Sequence, residues 1–268
     1  GSFDIGVGDG VLSVLPLHHT FEFSAGFLTP MSRGAEISYI DEVNADRIGE
    51  VLETGDITGM VGVPALWQLL HRKITQEFAS KPAFVEDAIA GLMSINAELR
   101  KRQGMNLGKL LFWPVHRKFG GKIRFLISGG SALSEEVQEA FHALGFSLDQ
   151  GYGLTEAAPV LTVTKTSEKT VSGSVGRALP GIELRIDRPD SDGIGEVIAK
   201  GPNVMSGYFE DREASAAVLK AGWLHTGDLG RIDADGTGSV AFEAVGADDP
   251  LARLRPGDNC VEITSDRY

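Results

Sequence analysis

Residues 58–74 read TGMVGVPALWQLLHRKI, an apolar run that stops at Pro64 and then continues with helical spacing. Residues 58–63 have the pattern of a buried strand. From residue 65 to residue 74 the apolar side chains recur every three or four positions, which predicts a helix. A strand that leads directly into a helix is the repeating unit of a layered α/β fold.

The same alternation continues on both sides of this stretch. Further strands are predicted at residues 11–15, 36–40 and 122–128. Further helices are predicted at residues 84–102 and 134–144. After about residue 160 the pattern changes to short β-like stretches separated by Gly, Pro and Asp. We therefore predict an α/β fold class, in which a layered sheet-and-helix subdomain (1–160) is followed by a smaller β-rich subdomain (161–268), with the tail from residue 237 unassigned.

Composition limits the classes of function. Hydrophobic residues make up 42% of the 268 residues and charged residues 23%, which is typical of a soluble globular protein. The net charge of -12 opposes nonspecific binding to nucleic acid, so no nucleic-acid partner is expected. The single cysteine excludes an intrachain disulfide and favours a cytoplasmic location. No apolar run approaches the ~20 residues of a spanning helix, so any membrane contact is expected to be peripheral.

The strongest local chemistry lies in residues 150–156, which read QGYGLTE. Its glycines permit close approach to the backbone, and Tyr152 offers a flat face to a base. Thr155 can donate a hydrogen bond to a phosphate, and Glu156 can hold a hard divalent cation. These groups together suit a nucleoside triphosphate. Taken alone, a glycine-rich turn with a solvated glutamate explains the segment equally well.

Two further segments add weaker signals. Ser128, Gly129, Gly130 and Ser131 follow a predicted strand and would admit a planar ligand, although such glycines commonly make only a tight connection. Asp228, in the segment WLHTGDL, is suited to accept hydrogen bonds from both hydroxyls of a ribose. An aspartate in a β-turn is the alternative reading. The glycine-containing segments between residues 176 and 208 also read singly as turns.

In this order the segments resemble the adenylate-forming superfamily of acyl-CoA synthetases, luciferases and peptide-synthetase adenylation domains. The resemblance covers residues 11–235 and begins with LPLHHTFE at residues 15–22, which looks like the family's proline-x-aromatic-histidine segment at the acyl pocket. It implies the fold of the large domain of these enzymes. The implied ligands are ATP or AMP and Mg²⁺, with CoA as co-substrate.

The resemblance also implies roles for individual residues. It assigns His19 to the acyl site, Thr155 to phosphate contact and Glu156 to magnesium, and these three form the expected catalytic set. Within the nucleotide pocket, Tyr152 would stack on adenine and Asp228 would hold the ribose. The residues expected to bind the nucleotide are Ser128, Gly129, Gly130, Ser131, Gln150, Gly151, Tyr152, Gly153 and Asp228.

Residues 71–122 resemble an extra helical segment of the long-chain fatty acyl-CoA ligase branch, although an ordinary pair of amphipathic helices would have the same pattern. The resemblance therefore implies an ATP-dependent long-chain fatty acid–CoA ligase, with fatty acid, ATP and CoA as partners. Two alternatives stay open: a fatty acyl-AMP ligase that loads a carrier protein, and a non-catalytic nucleotide- or acyl-binding module.

The sequence departs from the family pattern at two places. It contains no Ser/Thr/Gly-rich loop ending in Pro-Lys-Gly, the segment that grips phosphate in the family. The tail from residue 237 does not align with the family's hinge and lysine-bearing domain, so no catalytic lysine is nominated. We expect the remaining parts of a synthetase to be needed, and the isolated chain to be inactive.

Overall fold

The computed structural model describes residues 4–164, 174–232 and 240–243. The described residues form two compact units. The first contains residues 4–128 and 133–149, and the second contains residues 129–132 and those from 150 onward. The expected division at residue 160 lies inside the second unit. Of the tail from residue 237, only Val240–Glu243 lies within the described residues.

A parallel sheet forms the centre of the first unit. Its strands are numbered along the chain as β1 (Gly10–Ser13), β2 (Glu36–Tyr39), β3 (Gly59–Gly62) and β4 (Phe125–Ser128). They pair in the order β2-β1-β3-β4, all parallel. Every residue of β1, β3 and β4 is buried, as expected for parallel strands covered on both faces. The predicted α/β class is confirmed.

Helices cover this sheet. They are α1 (Thr29–Ser32), α2 (Ala45–Thr54), α3 (Pro64–Ala79), α4 (Ala83–Gln103), α5 (Gly108–Leu111), α6 (Trp113–Lys118) and α7 (Glu135–Ala143). None of the described helices combines the length and the apolar character needed to cross a bilayer. The prediction made from residues 58–74 is confirmed, because α3 begins directly after β3. Pro64 is the first residue of α3, where its missing N–H leaves no hydrogen bond unmade.

The first unit's core joins α3 to α7. The side chains of Trp67 on α3 and Phe141 on α7 are fully buried and meet edge to face, with ring centroids 6.0 Å apart. Ser134 caps α7, accepting a hydrogen bond from the Val137 N–H. Gly104 ends α4, the helix predicted at residues 84–102, and adopts the left-handed conformation with φ +67°.

Side chains from α4 satisfy the carbonyl groups at the C-terminal end of α7. Asn96 Nδ2 donates to the carbonyl oxygen of Ala143 at 2.9 Å. Arg100 Nη1 donates to the carbonyl oxygens of His142 and Phe146 at 2.7 and 2.8 Å. The last carbonyls of a helix have no partner within the helix, so these bonds replace the water that would otherwise bind there.

A π-helix follows β1, between two of the predicted strands. It spans Glu22–Leu28 and runs directly into α1. The Glu22 side chain is fully buried, and its carboxyl group accepts a hydrogen bond from Ser13 Oγ. Burial raises the pKa of Glu22 despite this bond and the bonds from the Val14 and Leu15 N–H groups. Gly26 lies against this carboxyl group and leaves no room for a side chain, since a Cβ at residue 26 would be only 2.3 Å from Glu22 Oε1.

The second unit is rich in antiparallel β-structure, as predicted. A strand β5 (Leu148–Tyr152) ends in it and pairs with β6 (Thr162–Val163), which pairs with β7 (Arg177–Ala178). A separate sheet contains β8 (Glu183–Asp187), β9 (Gly195–Lys200), β10 (Leu219–Lys220), β11 (Trp223–Ile232) and β12 (Val240–Glu243). Its order is β10-β11-β9-β8, with β12 also on β11. Helix α8 (Arg212–Val218) precedes β10.

Candidate functional site

The first half of the glycine-rich segment, residues 150–152, belongs to strand β5. This part of the segment is therefore a strand and not the glycine-rich turn that is the alternative interpretation of the sequence. Gly151 and Tyr152 pair with β6. The Gln150 N–H donates to Thr164 Oγ1 at 2.6 Å, and its carbonyl oxygen accepts from the Thr164 N–H at 2.8 Å. These bonds fix the position from which the Tyr152 side chain, 8% exposed, projects.

Gly153 ends the strand because the chain itself comes close there. A Cβ at this position would lie 1.9 Å from the carbonyl oxygen of Pro159. The glycine therefore admits the protein's own backbone, which folds back through a 3₁₀ turn at Thr155–Ala157. Ala158 closes this turn in the left-handed conformation, with φ 48°. Thr155 is exposed at the start of the turn, and Glu156 is half-buried within it.

Asp228 lies in β11 and not in a β-turn. The pairing of β9 with β11 shifts register between His225 and Leu229, and this irregularity contains Asp228. The Tyr152 hydroxyl donates to Asp228 Oδ2 at 2.5 Å. Burial raises the pKa of Tyr152 well above its ordinary value, and the negative charge of Asp228 adds to the effect, so the phenol stays protonated and acts as the donor.

The carboxyl group of Asp228 is surrounded by further negative charge. Burial is the main cause that raises its pKa, the hydrogen bond from Tyr152 opposes it, and the charges of Glu156 and Glu196 raise it further. Asp228 therefore lies in the field of two further carboxylates of the second unit. Such a cluster disfavours a bare polyphosphate and favours one that carries a divalent cation.

Glu196 supports the backbone beside Asp228, a role that sequence reasoning missed. Glu196 Oε1 accepts a hydrogen bond from the Gly227 N–H at 3.1 Å, and Oε2 contacts His225 Nδ1 at 2.7 Å. Thr226 Oγ1 donates to the Val197 carbonyl oxygen at 2.7 Å. The register shift is thus held by side chains from both strands. In the sequence, the glycine-containing segment at the start of β9 reads singly as a turn and gives no signal for this role.

Possible metal ligands lie at two places in the described part of the second unit. Asp187, Glu196 and His225 offer ligand atoms that all lie within 4.8 Å of one another. Both oxygens of Glu196 already accept or share protein hydrogen bonds, which accounts for this cluster without a metal. Glu156 differs, because no described residue donates to its Oε2 while Oε1 has one partner. A half-buried carboxylate with one oxygen available suits the hard cation Mg²⁺.

A second segment that the sequence read as a turn, residues 203–208, is bonded to the 3₁₀ turn. Asn203 Nδ2 donates to the carbonyl oxygens of Ala157 and Val160 at 2.6 and 3.0 Å. The Met205 N–H donates to the Glu156 carbonyl oxygen at 2.8 Å. The Tyr208 hydroxyl donates to Glu156 Oε1 at 2.7 Å. The available signal was the Gly-Tyr pair at residues 207–208, which repeats the pairing of glycine with tyrosine at residues 151–152.

The structure brings Tyr152, Glu156 and Asp228 together in the second unit. The expected acyl-site histidine, His19, belongs to the first unit, where it is exposed and its ring centroid lies 4.5 Å from that of His18. Ser128 ends β4, and its buried Oγ has no hydrogen-bond partner among the described residues. Gly129, Gly130 and Ser131 follow it. The ligand roles of all these residues stay predictions.

Comparisons with known proteins agree with the fold. The family "AMP-binding enzyme" matches residues 2–209. Long-chain-fatty-acid–CoA ligase 2 of Schizosaccharomyces pombe is 32% identical over 85% of this chain and 36% of its own length. 4-coumarate–CoA ligase 2 of Oryza sativa subsp. japonica is 30% identical over 86% of this chain and 36% of its own length.

Among solved structures, a malonyl-CoA ligase in a ternary product complex with methylmalonyl-CoA and AMP has a TM-score of 0.64 and 26% identity. That match covers 91% of this chain and 45% of the ligase. The chain spans little more than a third of the length of the two curated relatives. With the family match over most of its length, the chain belongs to the AMP-binding, adenylate-forming enzymes.

Proposed function

We propose that this chain is the nucleotide-binding part of an ATP-dependent long-chain fatty acid–CoA ligase. The observation that carries the proposal is the contact of the Tyr152 hydroxyl with Asp228 in the same unit as Glu156. An aromatic ring, a carboxylate for a ribose and a carboxylate for a cation are what an adenine nucleotide with its metal requires. The long-chain-fatty-acid–CoA ligase among the relatives supports the acyl class.

The proposed reaction has two steps. A fatty carboxylate attacks the α-phosphate of ATP and releases pyrophosphate, and the acyl group then passes from AMP to the thiol of CoA. The fatty carboxylate is already ionised at neutral pH, since its intrinsic pKa is about 4, so the first step needs no general base. The task of the protein is therefore to position the reactants and to neutralise phosphate charge.

Each residue of the site then has a proposed role. The Tyr152 ring stacks on adenine, Asp228 accepts the ribose hydroxyl protons, and Thr155 donates to a phosphate. Glu156 holds Mg²⁺, which supplies positive charge to the phosphate oxygens when bound. His19 contributes to the acyl site, and residues 128–131 line the adenine pocket. We place the protein in the cytoplasm, with peripheral membrane contact as the route to an apolar substrate.

Binding of AMP to the 268-residue chain tests the nucleotide site. Stacking and a few hydrogen bonds oppose the cost of immobilising the ligand, so we expect an affinity on the order of millimolar. AMP should bind more tightly than ribose 5-phosphate, because only AMP offers a base. Tyr152→Leu should remove that difference, whereas Tyr39→Leu, at a half-exposed tyrosine of β2, should preserve it. Equal binding of both ligands to the unmodified chain would contradict the proposal.

The acyl class needs a separate measurement. Non-hydrolysable acyl-adenylate analogues that carry a long alkyl chain or an acetyl group differ only in apolar surface. We expect the complete enzyme that contains this chain to bind the long-chain analogue more tightly. Preference for the acetyl analogue would leave the AMP-binding assignment intact and refute the long-chain substrate.

A further inference from the structure

Residues 203–208 connect to the 3₁₀ turn through backbone acceptors and through one side chain. Asn203 and Met205 bind carbonyl oxygens of the turn, so they hold the turn whatever its side chains are. Tyr208 is different, because its hydroxyl reaches the carboxylate of Glu156 at 2.7 Å. The Tyr208 hydroxyl therefore contacts the Glu156 side chain, to which the proposed function assigns the metal. The backbone of the turn is held separately, by Asn203 and Met205.

The orientation of Tyr208 is fixed from the side of α8. Its N–H donates to Ser215 Oγ at 2.8 Å, and Ser215 Oγ donates to the Asp211 carbonyl oxygen at 2.6 Å. Gly207 precedes it with φ +147°, a value that L side chains rarely adopt. A Cβ at Gly207 would also lie 2.9 Å from Ser215 Oγ. The backbone is therefore shaped to direct the phenol ring.

The surroundings of this hydrogen bond favour a role in binding over a role in folding. Tyr208 is 38% exposed, and Glu156 is only half-buried. A hydrogen bond open to water contributes little to the stability of a fold, because water replaces it at small cost. The hydrogen bond from Tyr208 can still orient the Glu156 side chain. It favours one rotamer of Glu156, in which Oε2 has no donor among the described residues.

We propose that Tyr208 is a positioning residue for metal-nucleotide binding. Its hydroxyl holds Glu156 Oε1, so that Oε2 is presented to the divalent cation that accompanies ATP. This inference rests on the proposed function and deepens it. It assigns a specific task to a tyrosine that reads, from the sequence alone, as part of a turn.

The test measures binding of Mg-ATP, and of AMP in the presence of EDTA, to the 268-residue chain and its variants. Tyr208→Phe removes only the hydroxyl, so we expect it to weaken Mg-ATP binding by about tenfold, the low end of the loss that follows when a residue that orients a metal ligand is removed. Metal-free AMP should bind within about twofold of the unmodified chain. The matched control is Tyr39→Phe, which should change neither affinity.

A double-mutant cycle with Glu156→Gln completes the test. If Tyr208 acts through Glu156, the Tyr208→Phe change should have no additional effect in the Glu156→Gln background. Equal loss of AMP and Mg-ATP binding, or an additive loss in the double variant, would overturn the inference while leaving the nucleotide site in place. Failure of the unmodified chain to bind either ligand would instead overturn the proposed function, and the inference with it.

Discussion

At the scale of single residues, the sequence identifies the important side chains but not what they contact. Tyr152, Glu156 and Asp228 are expected from their motif and from the family resemblance. The hydrogen bond between Tyr152 and Asp228 joins positions 76 residues apart, and that between Tyr208 and Glu156 joins positions 52 apart. No local pattern encodes such pairs, because they depend on how the strands of the second unit are arranged.

The Asp228 carboxylate is expected to discriminate between riboses. Asp228→Ala should weaken binding of ATP more than binding of 2′-deoxy-ATP, since the deoxy nucleotide offers one hydroxyl fewer to the carboxylate. Titration of each nucleotide into the unmodified chain and the variant measures the effect. An equal loss for the two nucleotides would mean that Asp228 serves only the backbone of β11.

At the scale of elements, apolar spacing predicts the buried strands and the long helices, including α3, α4 and α7. It fails for β5, because an aspartate, a glutamine and a glycine in the middle of the strand interrupt its apolar pattern, and Thr164 helps to hold this strand through a hydrogen bond. It also fails for β11, since the register shift beside Asp228 interrupts the alternation of side chains. The π-helix Glu22–Leu28 lies outside the elements that apolar spacing predicts, and its first residue, Glu22, is a buried carboxyl group that the spacing does not anticipate.

Two glycine-to-alanine substitutions, one directly after β5 and one in α4, are expected to change the free energy of unfolding in opposite directions. Gly153→Ala should destabilise the fold by about 2 kcal/mol or more, because backbone atoms occupy the space that the new Cβ needs. Gly91→Ala, in the middle of α4, has nothing within 4 Å of the new Cβ and should stabilise by about 0.5–1 kcal/mol. Urea denaturation of the two variants measures both effects. A neutral Gly153→Ala variant would contradict the close approach of Pro159.

The contact between α4 and α7 makes stability depend on pH. The pKa of His142 is lowered from 6.5 to about 4, mainly by burial and also by the charge of Arg100, while a hydrogen bond to the Leu148 carbonyl oxygen opposes both. Because the folded pKa is depressed, the unfolded chain binds the proton first as the pH falls. Stability should therefore be lost between about pH 6.5 and pH 4, by an amount on the order of 3 kcal/mol.

Denaturation at several pH values checks this expectation. His142→Gln keeps a donor for the Leu148 carbonyl oxygen but cannot be protonated, so its stability should fall less steeply over the same range. His71→Gln on α3 is the control histidine. An unchanged slope in the His142→Gln variant would show that another group causes the loss.

At the scale of the whole molecule, the family resemblance predicts more than the composition does. Size, charge and the single cysteine restrict the protein to a broad class, whereas the ordered motifs predict the α/β and β-rich parts that the structure contains. The subdomain boundary expected at residue 160 stays a prediction, and the two compact units of the structure divide within β5. The composition changes only gradually along this region.

The 268-residue chain is expected to make no acyl-CoA by itself. It spans little more than a third of the length of the two curated relatives described above, and the given sequence contains no Ser/Thr/Gly-rich loop ending in Pro-Lys-Gly. Losing even one donor to a developing charge commonly costs about 10²-fold or more in rate. Incubation with ATP, magnesium, a long-chain fatty acid and CoA should release no pyrophosphate above background. Release that depends on the fatty acid would show that the described residues, or the tail, supply the missing groups.

The bonds from Asn96 and Arg100 to the end of α7 also have a consequence for the order of synthesis. A ribosome delivers α4 before α7, so the donors leave the exit tunnel before the carbonyl groups that they bind. The nascent chain thus completes α7 against a partner that has already been made. Exchanging the order of these helices by circular permutation would release α7 first, with its terminal carbonyls bound only to water.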